Sequence, residues 1–302
     1  REVFMAEFKS GFVGIIGRPN VGKSTLLNQM LGQKIVIMSD KAQTTRNTIR
    51  GVKNGDDYQI VYIDTPGIHK PQHELGRQLN RLAFSALEGV DLIYYLLDVT
   101  KPFGRGDEFV LDLCKRQELP ILLVLNKIDL ITKKALLEKL LAFSEMNLFQ
   151  EIIPVSAKND DNIDRLIEVS LNFIPEGEAI FSDPEMVEYP EYFYITEIIR
   201  EHVLHLTNQE VPHSVAVVLD DFKEDKKGIL IQASIIADRD SQKGILIGKQ
   251  GSMLVEIGTN ARLELTKRFN KPVYLDLMVK VDKNWRNIQK RINAYNNWDL
   301  DE

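Results

Sequence analysis

Two short stretches of the chain set glycines beside a lysine at spacings that bring backbone against phosphate. The first is GRPNVGKST, Gly17 to Thr25, in which Gly17-x4-Gly22-Lys23-Ser24 follows the apolar run FVGIIG and leads into KSTLLNQML. A strand before and a helix after are the setting in which this spacing forms a phosphate-binding loop. Its glycines let N–H groups turn toward phosphates, and the helix N-terminus adds positive potential. Asn20, Val21, Gly22, Lys23, Ser24 and Thr25 are thus the candidate triphosphate cradle. Lys23 would reach the β/γ-phosphates, and the Ser24 hydroxyl would bind Mg²⁺.

Three further boxes close apolar runs. Asp64-Thr65-Pro66-Gly67 ends YQIVYID, where Asp64 can hold Mg²⁺ through water and the Gly67 N–H can report the γ-phosphate. Asn126-Lys127-x-Asp129 ends ILLVLNKID, where the Asp129 carboxylate can accept guanine N1–H and the exocyclic amine, a pair adenine lacks. Ser156-Ala157-Lys158 ends IIPVSA, where a backbone N–H can meet guanine O6. Any one box could be an ordinary turn. Four in this order, at the carboxyl ends of predicted strands where open α/β sheets bind ligands, point to GTP.

This set resembles the translation-factor-type GTPases across the whole first domain. The resemblance implies GTP hydrolysis to GDP, and a switch threonine that binds Mg²⁺ in the GTP state. DKAQTTRNTIRG supplies Thr44 and Thr45. Both stay open, with Thr45, next to Arg46, favoured. Lys23, Thr45 and Gly67 form the candidate catalytic set. Segments around Ser39–Asn47 and Gly67–Gly76 would be switches ordered by the γ-phosphate.

One position departs from Ras-like enzymes, which place a water-orienting glutamine directly after the glycine of this box. Here that residue is Ile68. His69 is a candidate for the task, although a plain loop histidine is the simpler reading. Several GTPases that resemble this chain at Ile68 and at Asn20 use K⁺ as a fixed positive charge. The resemblance therefore implies K⁺ beside GTP/GDP and Mg²⁺, and slow intrinsic turnover, because positioning dominates this chemistry.

The second stretch, GILIGKQGSMLVEIG at Gly244 to Gly258, is a different device. Its spacing is G-x3-G-K, and Gln250 stands where Mg²⁺ would need a hydroxyl. It matches I-G-x-x-G instead: Ile247-Gly248-Lys249-Gln250-Gly251. Such a loop between helices clamps the backbone of about four single-stranded nucleotides. Lys243, Lys249 and Arg262 are the candidate phosphate partners, and a helix-capping turn is the competing reading. From Lys243 to Arg291 there are 11 Lys and Arg against 4 Asp and Glu; from Gly177 to Gln242 there are 5 against 14. Phe222, Tyr274 and Trp285 sit in strand or helix patterns where core packing is expected.

The elements that must position these residues follow from periodicity. The first 175 residues alternate near-continuous apolar strands with helical segments, which predicts a mostly parallel sheet covered on both faces. Asn54-Gly55 between β-rich runs predicts a hairpin that adds one antiparallel edge strand. IPEGEAIFSDPEMVEYPEY then reads as a linker. Beyond it the order is helix, strand, strand, glycine loop between helices, strand, helix, which resembles a type II K-homology (KH) domain.

Composition sets the outer bounds. With 302 residues, 44% hydrophobic and 27% charged, the chain is sized for two domains. No apolar run is long enough to span a bilayer, and the opening REVFMAEF, of which Arg1 to Phe4 are set aside, does not read as a signal peptide. A single cysteine, Cys114, excludes an internal disulfide and fits a reducing setting.

The predicted layout is therefore a GTPase domain at 5–175, a linker at 176–190 and a KH domain with a C-terminal helix at 191–302. Over essentially the whole chain it resembles a family of bacterial GTPases that assist small-subunit ribosome assembly. The resemblance implies binding near the 3′ end of 16S ribosomal RNA, a monomer, and a cytoplasmic place with loose contact to the inner membrane face. The competing readings are a constitutive RNA-binding module with a structural nucleotide site, or a related assembly GTPase acting on another RNA.

Overall fold

A computed structural model describes residues 8–39, 41, 44–182, 187–188, 191–296 and 298. Part of the predicted linker, 183–186 and 189–190, lies outside the described residues, as do residues 40, 42 and 43 of the predicted switch segment. The chain forms two compact units. Residues up to Met38, Thr45–Lys70 and Gln78–Glu188 make the first; Ser39–Thr44, Pro71–Arg77 and the residues beyond Glu188 make the second.

In chain order the elements are β1 (Lys9–Gly17), α1 (Lys23–Leu31), β2 (Ile49–Asn54), β3 (Tyr58–Asp64), α2 (Glu74–Ser85), β4 (Leu92–Asp98), α3 (Arg105–Lys115), β5 (Ile121–Asn126), α4 (Lys133–Ser144), β6 (Glu151–Val155), α5 (Ile163–Ser170), β7 (Val187–Glu188), α6 (Glu191–Leu206), β8 (Ala216–Glu224), β9 (Ile229–Ala237), α7 (Asp240–Ile247), α8 (Ser252–Phe269), β10 (Val273–Val281) and α9 (Gln289–Asn296).

The first unit is a sheet in the order β6-β5-β4-β1-β3-β2-β7. Pairings from β6 through to β3 are parallel, and β2 runs antiparallel to β3, as the Asn-Gly hairpin predicts. Ile15, Ile93 and Leu123 are fully buried. That is the signature of strands covered on both faces, and it explains their lack of polar alternation. Every crossover returns through a helix, so the carboxyl ends of β1, β3, β4, β5 and β6 share one edge of the sheet.

Two features were hidden in the segment that reads as a linker. β7 pairs antiparallel with β2 and takes the place beyond it in the sheet. Earlier, Ser10 N–H donates to Pro175 O, Gly177 N–H donates to Phe8 O, and Gln59 exchanges two hydrogen bonds with the Phe181 backbone. The segment through Phe181 is thus stitched to the sheet. Polar composition conceals this because its pairing is through main chain.

The second unit is a sheet in the order β10-β9-β8, with β10 parallel and β8 antiparallel to β9. Helix α6 buries Ile195, Ile198, Ile199 and Val203, a spacing that makes one helical face. Helix α8 contributes Ile257, Ala261 and Leu265 to the same core. The C-terminal region differs from the single helix predicted for NWRNIQKRINAY: a 3-10 turn at Trp285–Asn287 precedes α9. Trp285 is fully buried, and its Nε1–H donates to Ser214 O at 3.1 Å, which fixes the break.

Tyr274 corrects an expectation. It is 60% exposed on β10 rather than packed in the core, while Phe222 is half-buried and Trp285 is buried as expected. In VYLDLMVKV both alternating sets contain large apolar residues, so the sequence does not mark which set the helices cover.

Candidate functional site

The phosphate loop leaves β1 at Gly17 and enters α1 at Lys23. Gly22 has φ +100°, and a Cβ there would stand 2.2 Å from Asn126 Nδ2, so only glycine fits. Lys23 is buried and donates to Gly17 O at 3.3 Å and Arg18 O at 3.1 Å. Burial pushes its ammonium down to about 8, against the pull of the Asp64 carboxylate.

Ser24, Thr45 and Asp64 meet. Ser24 Oγ lies 2.9 Å from Thr45 Oγ1 and donates to Asp64 Oδ2 at 3.0 Å; Thr45 Oγ1 donates to the same oxygen at 3.3 Å. Thr44 is turned elsewhere, its hydroxyl donating to Lys41 O at 2.7 Å. The structure thereby separates the two threonines that the sequence left open. Asp64 is fully buried, and among the described residues its Oδ1 has no hydrogen-bond partner. Burial pushes its pKa up, offset by Lys23, by the two hydroxyls and by the Thr65 N–H. Two hydroxyls and a carboxylate with an idle oxygen form a hard-oxygen donor set, which fits Mg²⁺.

Gly67 follows two residues later, with Pro19 so close that a Cβ would lie 2.8 Å from its Cα. Ile68 is fully buried, and its N–H donates to Gly17 O at 3.1 Å. It cannot orient a water. His69 Nδ1 lies 3.2 Å from Gly67 O, and Asn80 Nδ2 donates to the His69 carbonyl at 2.9 Å.

Asn126 joins three of the predicted boxes. Its Nδ2 donates to Val21 O at 2.8 Å, and its Oδ1 accepts from Lys127 N at 2.8 Å and Ala157 N at 3.0 Å. Asp129 Oδ1 accepts from Ser156 Oγ at 2.6 Å, which orients an exposed carboxylate. A cavity of about 660 Å³ opens here, between Gly22 and Thr25 on one side and Asn126, Lys127, Asp129 and Lys158 on the other. Its volume lies in the range of cofactor pockets.

Two residues absent from the sequence reading hold these walls in place. Asn28, buried on α1, accepts from Ile35 N and Val36 N at 2.8 and 3.0 Å and donates to Val36 O at 2.8 Å. It fixes the loop that carries the cavity residues Lys34 and Met38. Asp98, at the end of β4, accepts from Lys127 Nζ at 2.6 Å. A polar residue inside STLLNQML was the only sequence signal for the first; a lone aspartate ending a strand gave none for the second.

The second glycine loop lies between α7 and α8. Gly248 has φ +74°, and a Cβ would meet the Met253 backbone N at 2.7 Å. Gln250 and Gly251 also take positive φ, at +53° and +83°. Lys249 and Gln250 are exposed at the tip, while Lys243 and Ile247 are half-buried. Arg262 is not part of this cluster. It sits 11 residues beyond Gly251 on α8, about 16 Å along the helix axis.

A family model described as a 50S ribosome-binding GTPase matches residues 12–127, and a KH-domain model matches residues 210–286. GTPase Era of Staphylococcus epidermidis is 49% identical over 94% of this chain and 95% of its own length. Era of Staphylococcus haemolyticus is 48% identical over the same shares. A variant of Aquifex aeolicus Era bound to GDP·AlF4⁻ superposes with a TM-score of 0.92 at 39% identity, over 95% of this chain and 99% of that one. So does Era in complex with MgGDPNP and nucleotides 1506–1542 of 16S ribosomal RNA, over 95% and 98%. Identity at this level across both units, not the GTPase fold alone, shows that the chain belongs to the Era family of GTPases.

Proposed function

We propose that this chain is a GTP-driven switch that binds single-stranded RNA at the 3′ end of 16S ribosomal RNA and assists assembly of the small ribosomal subunit. The convergence of Ser24 and Thr45 on the buried Asp64 carries the reading. Thr45 belongs to a segment far from Ser24 in sequence, so Mg²⁺ shared by these groups and the γ-phosphate would make that segment sense the nucleotide. In this reading Asn20 to Thr25 cradle the triphosphate, and Gly67 N–H meets the γ-phosphate. Asp129 reads the guanine edge while the turn Ser156-Ala157-Lys158 closes over it.

The RNA half of the proposal rests on the exposed Ile247–Gly251 loop, its two constrained glycines, and the relative that carries a 16S RNA fragment. Lys243 and Lys249 offer charge to phosphates there. K⁺ near Asn20 supplements Mg²⁺ in hydrolysis, since Ile68 offers no polar group. A cytoplasmic monomer with loose contact to the inner membrane face completes the reading, on family resemblance; among the described residues no helix is long and apolar enough to cross a membrane.

The deciding experiment measures affinity for an RNA of 16S nucleotides 1506–1542 in the GDPNP and GDP states, together with Mg²⁺-dependent GTP turnover. Unequal affinities are expected. Equal affinities would leave a constitutive RNA-binding module, because a ligand shifts only states it binds differently.

A further inference from the structure

A second cavity, of about 340 Å³, opens in the first unit between the phosphate loop, the end of β4, the start of α3 and helix α4. It has no lining residue in common with the base cavity. Neighbours in sequence serve opposite sides. Val21 and Leu125 line the second cavity, while Gly22 and Asn126 line the first.

The partition between them is held by bonds that join one lining to the other. Lys127, in the wall of the base cavity, donates to Asp98 Oδ2 at 2.6 Å and to Asn20 O at 2.7 Å, both in the wall of the second. Asn126 Nδ2 donates to Val21 O at 2.8 Å in the same sense. A molecule seated in either cavity therefore presses on groups that shape the other.

The lining defines what would sit there. Val21, Leu97, Val99, Leu125 and Phe143 are buried in it, and Phe103 meets Phe143 edge to face with ring centroids 5.5 Å apart. This interior suits a hydrocarbon body, and the volume is at the small end of the range for ligand pockets. The two acids of the lining are already engaged. Asp98 accepts from Lys127 and from Thr100, and Asp107 accepts from Arg18 at 3.2 Å and from Gly104 N–H at 3.1 Å. Two lysines of the lining are not. Among the described residues neither Lys101 nor Lys139 has an acidic partner, and Lys139 Nζ reaches no closer than 3.5 Å to the Lys101 carbonyl. The charge left over is positive, so the fitting ligand carries a negative group.

We propose that this cavity is an effector site for a small anion with an aromatic or branched apolar body, and that its occupancy slows release of guanine nucleotide. The apolar body would brace Val21 and the end of β4, while Lys101 and Lys139 hold the anionic group. Bracing Asn20, Val21 and Asp98 keeps Lys127 and Asn126 in place around the nucleotide. The coupling rests on the guanine-nucleotide reading of the first cavity; the binding does not. Such coupling is reciprocal, so nucleotide would tighten the effector by the factor that the effector tightens nucleotide.

The test uses the full chain loaded with Mg²⁺ and GDP, so that the base cavity is filled, and two probes with the same rings: 1-naphthoate and the neutral 1-naphthylmethanol. Calorimetric titration should show one naphthoate site. Lys101→Gln combined with Lys139→Gln should weaken naphthoate about tenfold and leave naphthylmethanol within about twofold, since the charge-assisted contacts are what is lost. Saturating naphthoate should slow release of a fluorescent GDP about fivefold in a stopped-flow chase, and the double variant should lose that effect at the same probe concentration. Without probe, the variant should release GDP at the native rate. Naphthoate that fails to bind, or binds the double variant equally well, would overturn the site. Binding that GDP abolishes would return the probe to the base cavity and overturn the site too. Bound naphthoate with unchanged or faster GDP release would overturn the coupling. A chain that binds no GDP at all would instead refute the nucleotide reading.

Discussion

Lys127 Nζ lies 2.6 Å from Asp98 Oδ2 and also donates to the Asn20 carbonyl at 2.7 Å, so one ammonium ties the end of β4 to the phosphate loop. Burial pushes the Asp98 carboxyl up, but hydrogen bonds from Lys127 and Thr100 outweigh it and hold the group below its ordinary value. The carboxylate is thus charged whenever the protein is folded near neutrality. Asp98→Asn keeps the shape and removes the charge. GDP should then dissociate about fivefold faster in a stopped-flow chase, as expected for weakening one partly buried charge-assisted bond. An unchanged dissociation rate would reduce Asp98 to a surface partner of Lys127.

Asp129→Asn should move preference from GTP to xanthosine triphosphate. A site built around a hydrogen-bonded base rejects the wrong one strongly, so GTP affinity should fall about a hundredfold or more. Competition binding of the two nucleotides checks this. Retained GTP preference would refute the base-reading role.

Lys249→Asp combined with Gln250→Asp should weaken binding of the 16S fragment and flatten its dependence on salt, since the tip then repels phosphate. A titration at three ionic strengths reads both effects. An unaltered salt slope would mean that the exposed tip does not meet the RNA backbone.

Lys23 makes nucleotide affinity depend on alkaline pH. In the folded protein without nucleotide, burial brings the Lys23 ammonium down to about 8 from the ordinary lysine value of 10.5. Between these values the unfolded chain binds more protons, so the stability of the empty protein rises with pH there; below about 8 both states are charged and the contribution is constant. Phosphate binding needs the ammonium. GDP affinity should therefore fall above about pH 8, by up to about tenfold per pH unit, with proton uptake visible by calorimetry in buffers of different ionisation enthalpy. Affinity that stays level from about pH 7 to 9 would contradict the burial effect.

K⁺ should accelerate GTP hydrolysis over Na⁺ at matched ionic strength. The fully buried Ile68 offers nothing to the attacking water, so a fixed positive charge has more to contribute here. Equal turnover in the two salts would place the missing function on a side chain, with His69 the first to replace.

The four boxes of the first unit were legible because each is a short run whose chemistry depends on local residue type. Their convergence was legible too, from the position of each at a strand end. Asp98 was not, because one aspartate after LIYYLL resembles any strand ending in a turn. Asn28 hid in a helix whose other buried residues are mostly apolar. Thr44 and Thr45 could not be separated by type, only by which hydroxyl the backbone turns toward Asp64. Tyr274 was misplaced for a different reason: on an edge strand with apolar residues on both faces, alternation shows that there are two faces but not which one is covered.

Asn126 shows what an amide can do that neither half of it could. One end gives a proton to the phosphate loop, and the other takes two from the turns on either side of the base cavity. An aspartate there would set a carboxylate against the Val21 carbonyl, and a leucine of similar bulk would leave three backbone groups without partners. Asn126 can be indispensable without touching the nucleotide: it is a keystone, cut to fit three stones at once.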